Sequence, residues 1–149
     1  MKHSLLELSI IRYIKQDSRF HCNDLCISSD ELDNNHEVVA EVDGITQSCR
    51  PDVMAYNFFG KKFHIFGEAK SSNDFNNKNE NTQSRHSRQM NVMLNALKVK
   101  RNKKKYLIYA CEIDIRNKIE QMLMKKKSQY MATDVNIIII DPLHNPELF

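Results

Sequence analysis

Arg50-Pro51-Asp52-Val53-Met54-Ala55-Tyr56-Asn57-Phe58-Phe59-Gly60, followed by Lys61-Lys62-Phe63-His64-Ile65-Phe66-Gly67-Glu68-Ala69-Lys70, is the stretch that decides the fold. It holds two apolar runs rich in β-branched and aromatic residues, with a glycine between them. Glu68 and Lys70 close the second run two residues apart, so on a strand they point the same way. Asp52 opens the first run. The midpoint between Asp52 and Glu68 is Gly60, a residue suited to a hairpin turn. Folding back about Gly60 sets Asp52 opposite Glu68, where paired Cβ atoms lie roughly 4.5–5.5 Å apart. Two carboxylates that close repel, and one is driven toward its neutral form. A divalent cation between them removes the repulsion. The stretch therefore predicts a small metal site with a lysine beside it.

On the second strand Phe63, Ile65, Gly67 and Ala69 share one face; His64, Phe66, Glu68 and Lys70 share the other. Upstream, Leu5, Leu8, Ile11, Tyr13 and Ile14, widened by Leu6 and Ile10, recur at helical spacing over Ser4–Lys15, with Ser4 and Glu7 placed as a capping box. Residues 17–35 are polar and acidic and read as a loop or one short irregular element. Glu37–Val42 is a moderate strand ended by Asp43-Gly44. After Lys70, Ser71–Thr82 holds five asparagines and almost no apolar group, which predicts a mobile loop. Gln83–Val99 carries Met90, Met93, Leu94 and Leu97 at helical spacing. Lys105–Cys111 reads as a buried strand, Asp114–Lys127 as a second amphipathic helix, and Asn136–Asp141 as a last strand stopped by Pro142. The first three strands form an expected antiparallel meander, and the later ones alternate with helices, which implies parallel crossovers. The expected fold is α/β, a mixed central sheet flanked by helices, in a single domain over 1–149.

The chain has 149 residues, enough for one domain with a substantial core. The longest purely apolar run, Ile137–Ile140, is far short of a membrane span of about 20 residues, and the N-terminal segment lacks the pattern of a signal peptide. A cytoplasmic protein that uses no membrane is expected. Net charge is only +3, but six cations fall within Lys98–Lys105 and three more at Lys125–Lys127, while acids gather in Asp24–Asp43. Such sorting builds a basic face for a phosphate backbone; as helix-flanking charges the same lysines would only solubilise the fold. The four cysteines, Cys22, Cys26, Cys49 and Cys111, do not match the paired spacing of zinc frameworks even with His21 added, so reduced thiols are expected.

Pro51-Asp52, then Glu68-Ala69-Lys70 at the end of the next strand, then a helix, resembles the PD-(D/E)xK nuclease superfamily, which includes restriction endonucleases and Holliday-junction resolvases. The resemblance covers Glu37 to about Cys111, and the element order extends it over most of the chain. It implies a restriction-endonuclease-like core and a Mg²⁺-dependent nuclease, with Mn²⁺ as a substitute, acting on DNA and leaving a 5′-phosphate. By the same resemblance Asp52, Glu68 and the carbonyl of Ala69 are metal ligands and Lys70 serves the attacking water. Carboxylates and carbonyls are the hard oxygen donors that Mg²⁺ takes. Many members add an acid from the first helix, here Glu7, with Glu41 or Asp43 as substitutes. Many also place a glutamine or basic residue on the helix after Glu-x-Lys, here Gln89, with Arg85 and Arg88; Lys103 and Lys104 join them as candidate nucleic-acid contacts. Viral cap-snatching members use a histidine upstream of Pro-Asp. His36 is upstream but sits at a strand start in an acidic loop, so RNA is the lesser expectation. His36 and His64 read as satisfied or surface histidines. No separate reading module is visible, so specificity is expected from nucleic-acid structure, a partner protein or a homodimer. The alternative to a nuclease is a non-catalytic nucleic-acid-binding or assembly subunit that kept the fold.

Overall fold

The structure, a computed structural model, describes residues 1–59, 62–101 and 103–143. Helix α1 (His3–Gln16) and a 3-10 turn (Ser18–Phe20) lead into strand β1 (Leu25–Ser29). Strands β2 (Val38–Val42), β3 (Ile45–Cys49), β4 (Val53–Asn57) and β5 (Phe63–Lys70) follow. Helix α2 (Ser72–Phe75) and helix α3 (Glu80–Lys98) precede strand β6 (Lys104–Cys111), helix α4 (Ile113–Gln129) and strand β7 (Val135–Ile140). Among the described residues no helix is long and apolar enough to cross a membrane.

The main sheet is five-stranded and mixed, in the order β1-β4-β5-β6-β7. β1 and β4, and β4 and β5, are antiparallel; β5, β6 and β7 are parallel. Val53 pairs with Gly67 and Tyr56 with His64, so every pair sums to 120, the register that the spacing of Asp52 and Glu68 predicts. Gly60, the expected turn residue, lies outside the described residues.

Two cores cover the two sheet faces. Leu6, Ile10 and Ile14 of α1 pack on Val53, Ile65, Ala69 and Ile108. Met90, Met93, Leu94 and Leu97 of α3, with Ile115, Ile119 and Leu123 of α4, pack on Met54, Phe66 and Leu107. The odd and even residues of β5 thus feed opposite cores, as the period of two requires. Gly67 marks the closest approach of α1: a Cβ there would lie 2.8 Å from Cγ2 of Ile10.

Four expectations are corrected. The expected meander does not include Glu37–Val42. That segment pairs with β3 as a separate two-stranded hairpin, laid on α3 through Val38, Ala40, Val42 and Cys49. The third antiparallel strand is β1, inside the stretch expected as a loop. Its five residues are mostly half-buried at the sheet edge, so they show neither a continuous apolar run nor clean alternation. The Asn-rich segment 71–82 is structured: Ser71 caps α2, Asn79 caps α3 through two backbone N–H groups, and Phe75 is fully buried. Short polar side chains there act as helix caps. In α1 the buried stripe is Leu6, Ile10 and Ile14, while Leu5 is 41% exposed.

Candidate metal centre

The sheet register carries Asp52 and Glu68 to one end of the β4–β5 pair. The backbone N–H of Asp52 donates to Oε1 of Glu68 at 3.0 Å, and the N–H of Ala69 donates to Oδ2 of Asp52 at 2.9 Å. These reciprocal bonds continue the ladder past β4 with side-chain acceptors and lock both carboxylates in place. Glu68 and Lys70 share a face of β5. The Lys70 ammonium sits 3.2 Å from Oε2 of Glu68 and donates to Oε1 of Gln89 on α3 at 2.8 Å. Lys70 is only 4% exposed and Glu68 2%.

A second group of residues reaches the same place from outside the hairpin. Helix α1 starts at His3 with no side-chain cap, so Ser4 and Glu7 do not form the capping box. Glu7, fully buried, points instead to the sheet end, where its Oε2 accepts from the N–H of Glu31 at 2.7 Å. His3, one turn earlier, places Nε2 3.4 Å from Oδ2 of Asp52 and 3.9 Å from Oε1 of Glu7. Asp30 directly follows β1, and its N–H donates to the Asp52 carbonyl at 3.0 Å. One ligand atom from each of His3, Glu7, Asp30 and Asp52 lies within 4.8 Å of the others.

The electrostatics are those of crowded acids. Burial, then the nearby Asp52, pushes Glu68 up to about 8. Burial also pushes Glu7 up to about 7, with Asp52 and Asp30 adding to the rise. Asp52 goes the other way: burial opposes its charge, but hydrogen bonding to His3 and to the Ala69 N–H more than offsets that cost. His3 rises to about 9, chiefly through its hydrogen bond to Asp52. Oε1 of Glu7 and the hydroxyl of Tyr109, the residue beside Glu68 on β6, are buried without a hydrogen-bond partner. An unpaired buried carboxylate oxygen is costly, and a cation among these side chains satisfies it.

The donor set fits a divalent metal. Donor atoms around a small hard cation lie about 3.0 Å apart when adjacent and about 4.2 Å apart when opposite, the scale on which the four donor atoms gather here, within 4.8 Å of one another. Three donors are carboxylates and one is an imidazole, a mixture that suits Mn²⁺ as well as Mg²⁺. Both oxygens of Glu68 accept, from the Asp52 N–H and from Lys70, and Glu68 is not among the four residues whose ligand atoms gather within 4.8 Å.

Of the residues singled out from sequence, Asp52, Glu68, Ala69, Lys70, Gln89 and Glu7 come together here. Arg85 is near but faces outward, 3.4 Å from Asp74 of α2. Arg88 lies on α3 at the rim, close enough to Cys49 to affect its thiol. Lys103 and Lys104 are not brought to the cluster: Lys104 pairs with Phe63, at the other end of β5. Glu41 pairs with Thr46 in the small hairpin, and Asp43 accepts from the Tyr130 hydroxyl. His36 is also remote, lining a groove with His64. The cysteines are free thiols. His3 and Asp30 are missing from the sequence reading. For His3 a signal exists, since residues i and i+4 share a helix face and Glu7 is itself a candidate. No family model matches the chain, and neither a curated protein nor a solved structure does.

Proposed function

We propose that this domain is a metal-dependent phosphodiesterase that hydrolyses DNA. The observation that carries the reading is the convergence of His3, Glu7, Asp30 and Asp52 at one sheet end, with Glu68 and a buried lysine directly behind. The site sits at the carboxyl end of β5, where the strand runs parallel to β6, the usual place for ligands in open α/β sheets. Glu7, Asp30, Asp52 and His3 hold the cation, and Glu68 holds Asp52 and Lys70. Such a cation acidifies a water and polarises the phosphoryl oxygen. Lys70 contributes a fixed positive charge for the phosphate, kept in place by Glu68 and Gln89. Arg88, exposed on α3 beside Gln89, offers a guanidinium suited to phosphate contacts, with Arg85 one turn earlier and paired with Asp74.

His3 favours a second reading. Cap-snatching endonucleases of the superfamily that this chain resembles use a histidine ligand upstream of Pro-Asp. The histidine at this site is His3, on a helix, and RNA is the alternative substrate.

The test is cleavage of supercoiled plasmid, linear duplex, single-stranded DNA and RNA in Mg²⁺, Mn²⁺ or EDTA, beside Asp52→Ala and Lys70→Ala. Metal-dependent cutting abolished by both substitutions supports the reading. A preference for RNA selects the alternative. No cutting of any substrate, with equally poor metal binding by wild type and Asp52→Ala, rejects hydrolysis and leaves a non-catalytic subunit.

A further inference from the structure

The opposite end of the sheet carries a different chemistry. Three cavities meet there. One of about 790 Å³ lies against Arg19, Lys62, Phe63, Lys103, Lys104 and Tyr106. A second, about 490 Å³, shares Phe63 and Lys103 with the first and adds Tyr56, Phe58 and Phe59. A third, about 620 Å³, shares Tyr56 and His64 with the second and adds Lys98 and Lys100. The first lies on the α1 side of the sheet and the third on the α3 side, and the second joins them around the sheet end at the start of β5 and β6, a continuous groove that wraps that end.

Aromatic rings and cations line it together. Phe59 is 83% exposed and stands edge to face with Phe58, the ring centres 4.9 Å apart. Tyr56 and His64 stack with planes 10° apart. The Arg19 guanidinium lies 5.4 Å from the ring centre of Tyr106. Among the described residues Lys100, Lys103 and Lys104 form no ion pair. Burial, then the charge of Lys103, lowers the pKa of Lys100. Burial, followed by Lys100 and Lys103, pushes His64 down to about 4. Acids are present too, Asp24 in the first cavity and Glu37 and Glu41 in the third, but Asp24 already accepts from the Phe59 N–H. His64 is more than nine-tenths buried, lines two of the cavities, and has neither ring nitrogen hydrogen bonded. Neutral imidazole offers one donor and one acceptor.

We propose that this groove binds a single strand of nucleic acid, with bases on Tyr56, Phe58 and Phe59 and phosphates on Lys100, Lys103 and Lys104. Charge complementarity selects the occupant: cations that repel one another are relieved by a polyanion, and ring faces between them match bases between phosphates. A duplex keeps its base faces stacked inside and cannot offer them. The groove is a second site, distinct from the metal centre. Tyr56–His64 is four register steps from Asp52–Glu68, about 13 Å along the strands. None of its residues belongs to the metal cluster, so its binding stands whether or not the chain cleaves anything.

The experiment is fluorescence anisotropy of a labelled oligothymidylate, an abasic strand of equal length and a hairpin duplex, all in EDTA. Wild type should bind the oligothymidylate more tightly than the other two probes. Phe59→Ala should weaken it roughly five- to a hundredfold, the effect of one base stacked on one ring. Joint Lys100→Glu and Lys103→Glu should flatten the salt dependence by roughly 1.4, about 0.7 for each phosphate that is no longer neutralised. Lys125→Glu, on α4, should change nothing. Equal affinity for the abasic strand, or no effect of Phe59→Ala, overturns the base platform. If the Lys100 and Lys103 reversals weaken binding no more than Lys125→Glu does, the site is overturned. An absence of binding, with self-association that Phe59→Ala removes, would assign the face to a second copy of the chain and overturn the proposal.

Discussion

Replacing Gly67 by alanine tests how the fold positions the metal centre. The new methyl would lie 2.8 Å from Cγ2 of Ile10 and 3.2 Å from Cβ of Val53. Neither neighbour can swing aside. Ile10 is fully buried and β-branched, so its Cγ2 is fixed by a stiff χ1, and Val53 is paired into the adjoining strand. Ordinary contact begins at 3.4 Å, so α1 must lift off the sheet by about 0.6 Å, the difference between 3.4 and 2.8. Overpacking of this kind costs about 1–3 kcal/mol, and replacing glycine inside a strand returns about 0.5–1 kcal/mol. The net loss is about 1–2 kcal/mol, a fall in Tm of roughly 2–8 °C for a domain of this size. The site feels it more. His3 and Glu7 ride on α1, whereas Asp52 and Glu68 belong to the sheet, and metal ligands must hold position to about 0.2 Å. Metal affinity should fall on the order of ten- to a hundredfold, as when the support around ligands is removed. Thermal melts across a Mn²⁺ titration read both quantities. Ile10→Ala, which removes the obstructing atom, should cost about 2–5 kcal/mol alone but less than additively with Gly67→Ala. A Gly67→Ala protein with unchanged Tm and an unchanged metal midpoint would refute the reasoning. A lower Tm with undiminished metal affinity would show that α1 does not carry ligands.

Asp52→Asn should abolish the metal-induced rise in Tm, and in EDTA it should melt below wild type, because the fold stabilises ionised Asp52 through His3 and the Ala69 N–H; circular dichroism melts check both. His3 supplies nitrogen, which Mn²⁺ accepts more readily than Mg²⁺, so Mn²⁺ should shift Tm at lower concentration than Mg²⁺, and His3→Ala should narrow the gap. Metal-free stability should fall as pH rises. Glu68 and Glu7, with folded values of about 8 and 7 against 4.5, keep protons in the folded state that the unfolded chain releases. The charged His3, raised to about 9 from 6.5, stabilises fully below 6.5, and that stability is lost as pH climbs through 9. Asp17, lowered to about 2, and Asp52, also lowered, remove stability only in strong acid. His64, lowered to about 4 from 6.5, works the other way and adds stability as pH rises between those values, so the metal-free loss should be concentrated above 6.5, where Glu68, Glu7 and His3 all act in one direction. Added Mn²⁺ should restore stability mainly above about pH 7, which denaturant melts across pH would read.

The hairpin is legible because its information is local and arithmetical. A period of two fixes the faces of β5, and two charged residues equidistant from a glycine fix the register. The helices are legible for the same reason at a period of 3.6. What escapes depends on contacts distant in sequence. β1 has a strand conformation because Ser29 pairs with Val53 at the sheet edge, a relation absent from its own five residues. Glu37–Val42 looks like a sheet strand by composition, but its apolar positions find α3 before any sheet edge, and β3, its partner, carries no strand signal of its own. Counting apolar groups misjudges segment 71–82, where one phenylalanine and two capping side chains suffice to give order. Asp30 enters the cluster only because β1 delivers it beside Asp52. Charge alone would place Lys103 and Lys104 with the site, and the parallel pairing of β5 and β6 sends them to the far end.

That separation explains why a chain of such small net charge can still be read electrostatically. β5 begins among unpaired lysines and ends among crowded carboxylates, so opposite charges that would neutralise one another as ion pairs are held apart along one strand. Folding alone gains nothing from this. Pairing the same acids and lysines would relieve Glu7 and Glu68 and leave no polar atom of Glu7 buried without a partner. Local costs of this kind persist where a ligand repays them, and the two ends ask for ligands of opposite sign. The acidic end asks for a cation and the basic, ring-lined end for a polyanion. The metal-dependent nuclease proposed above would use both.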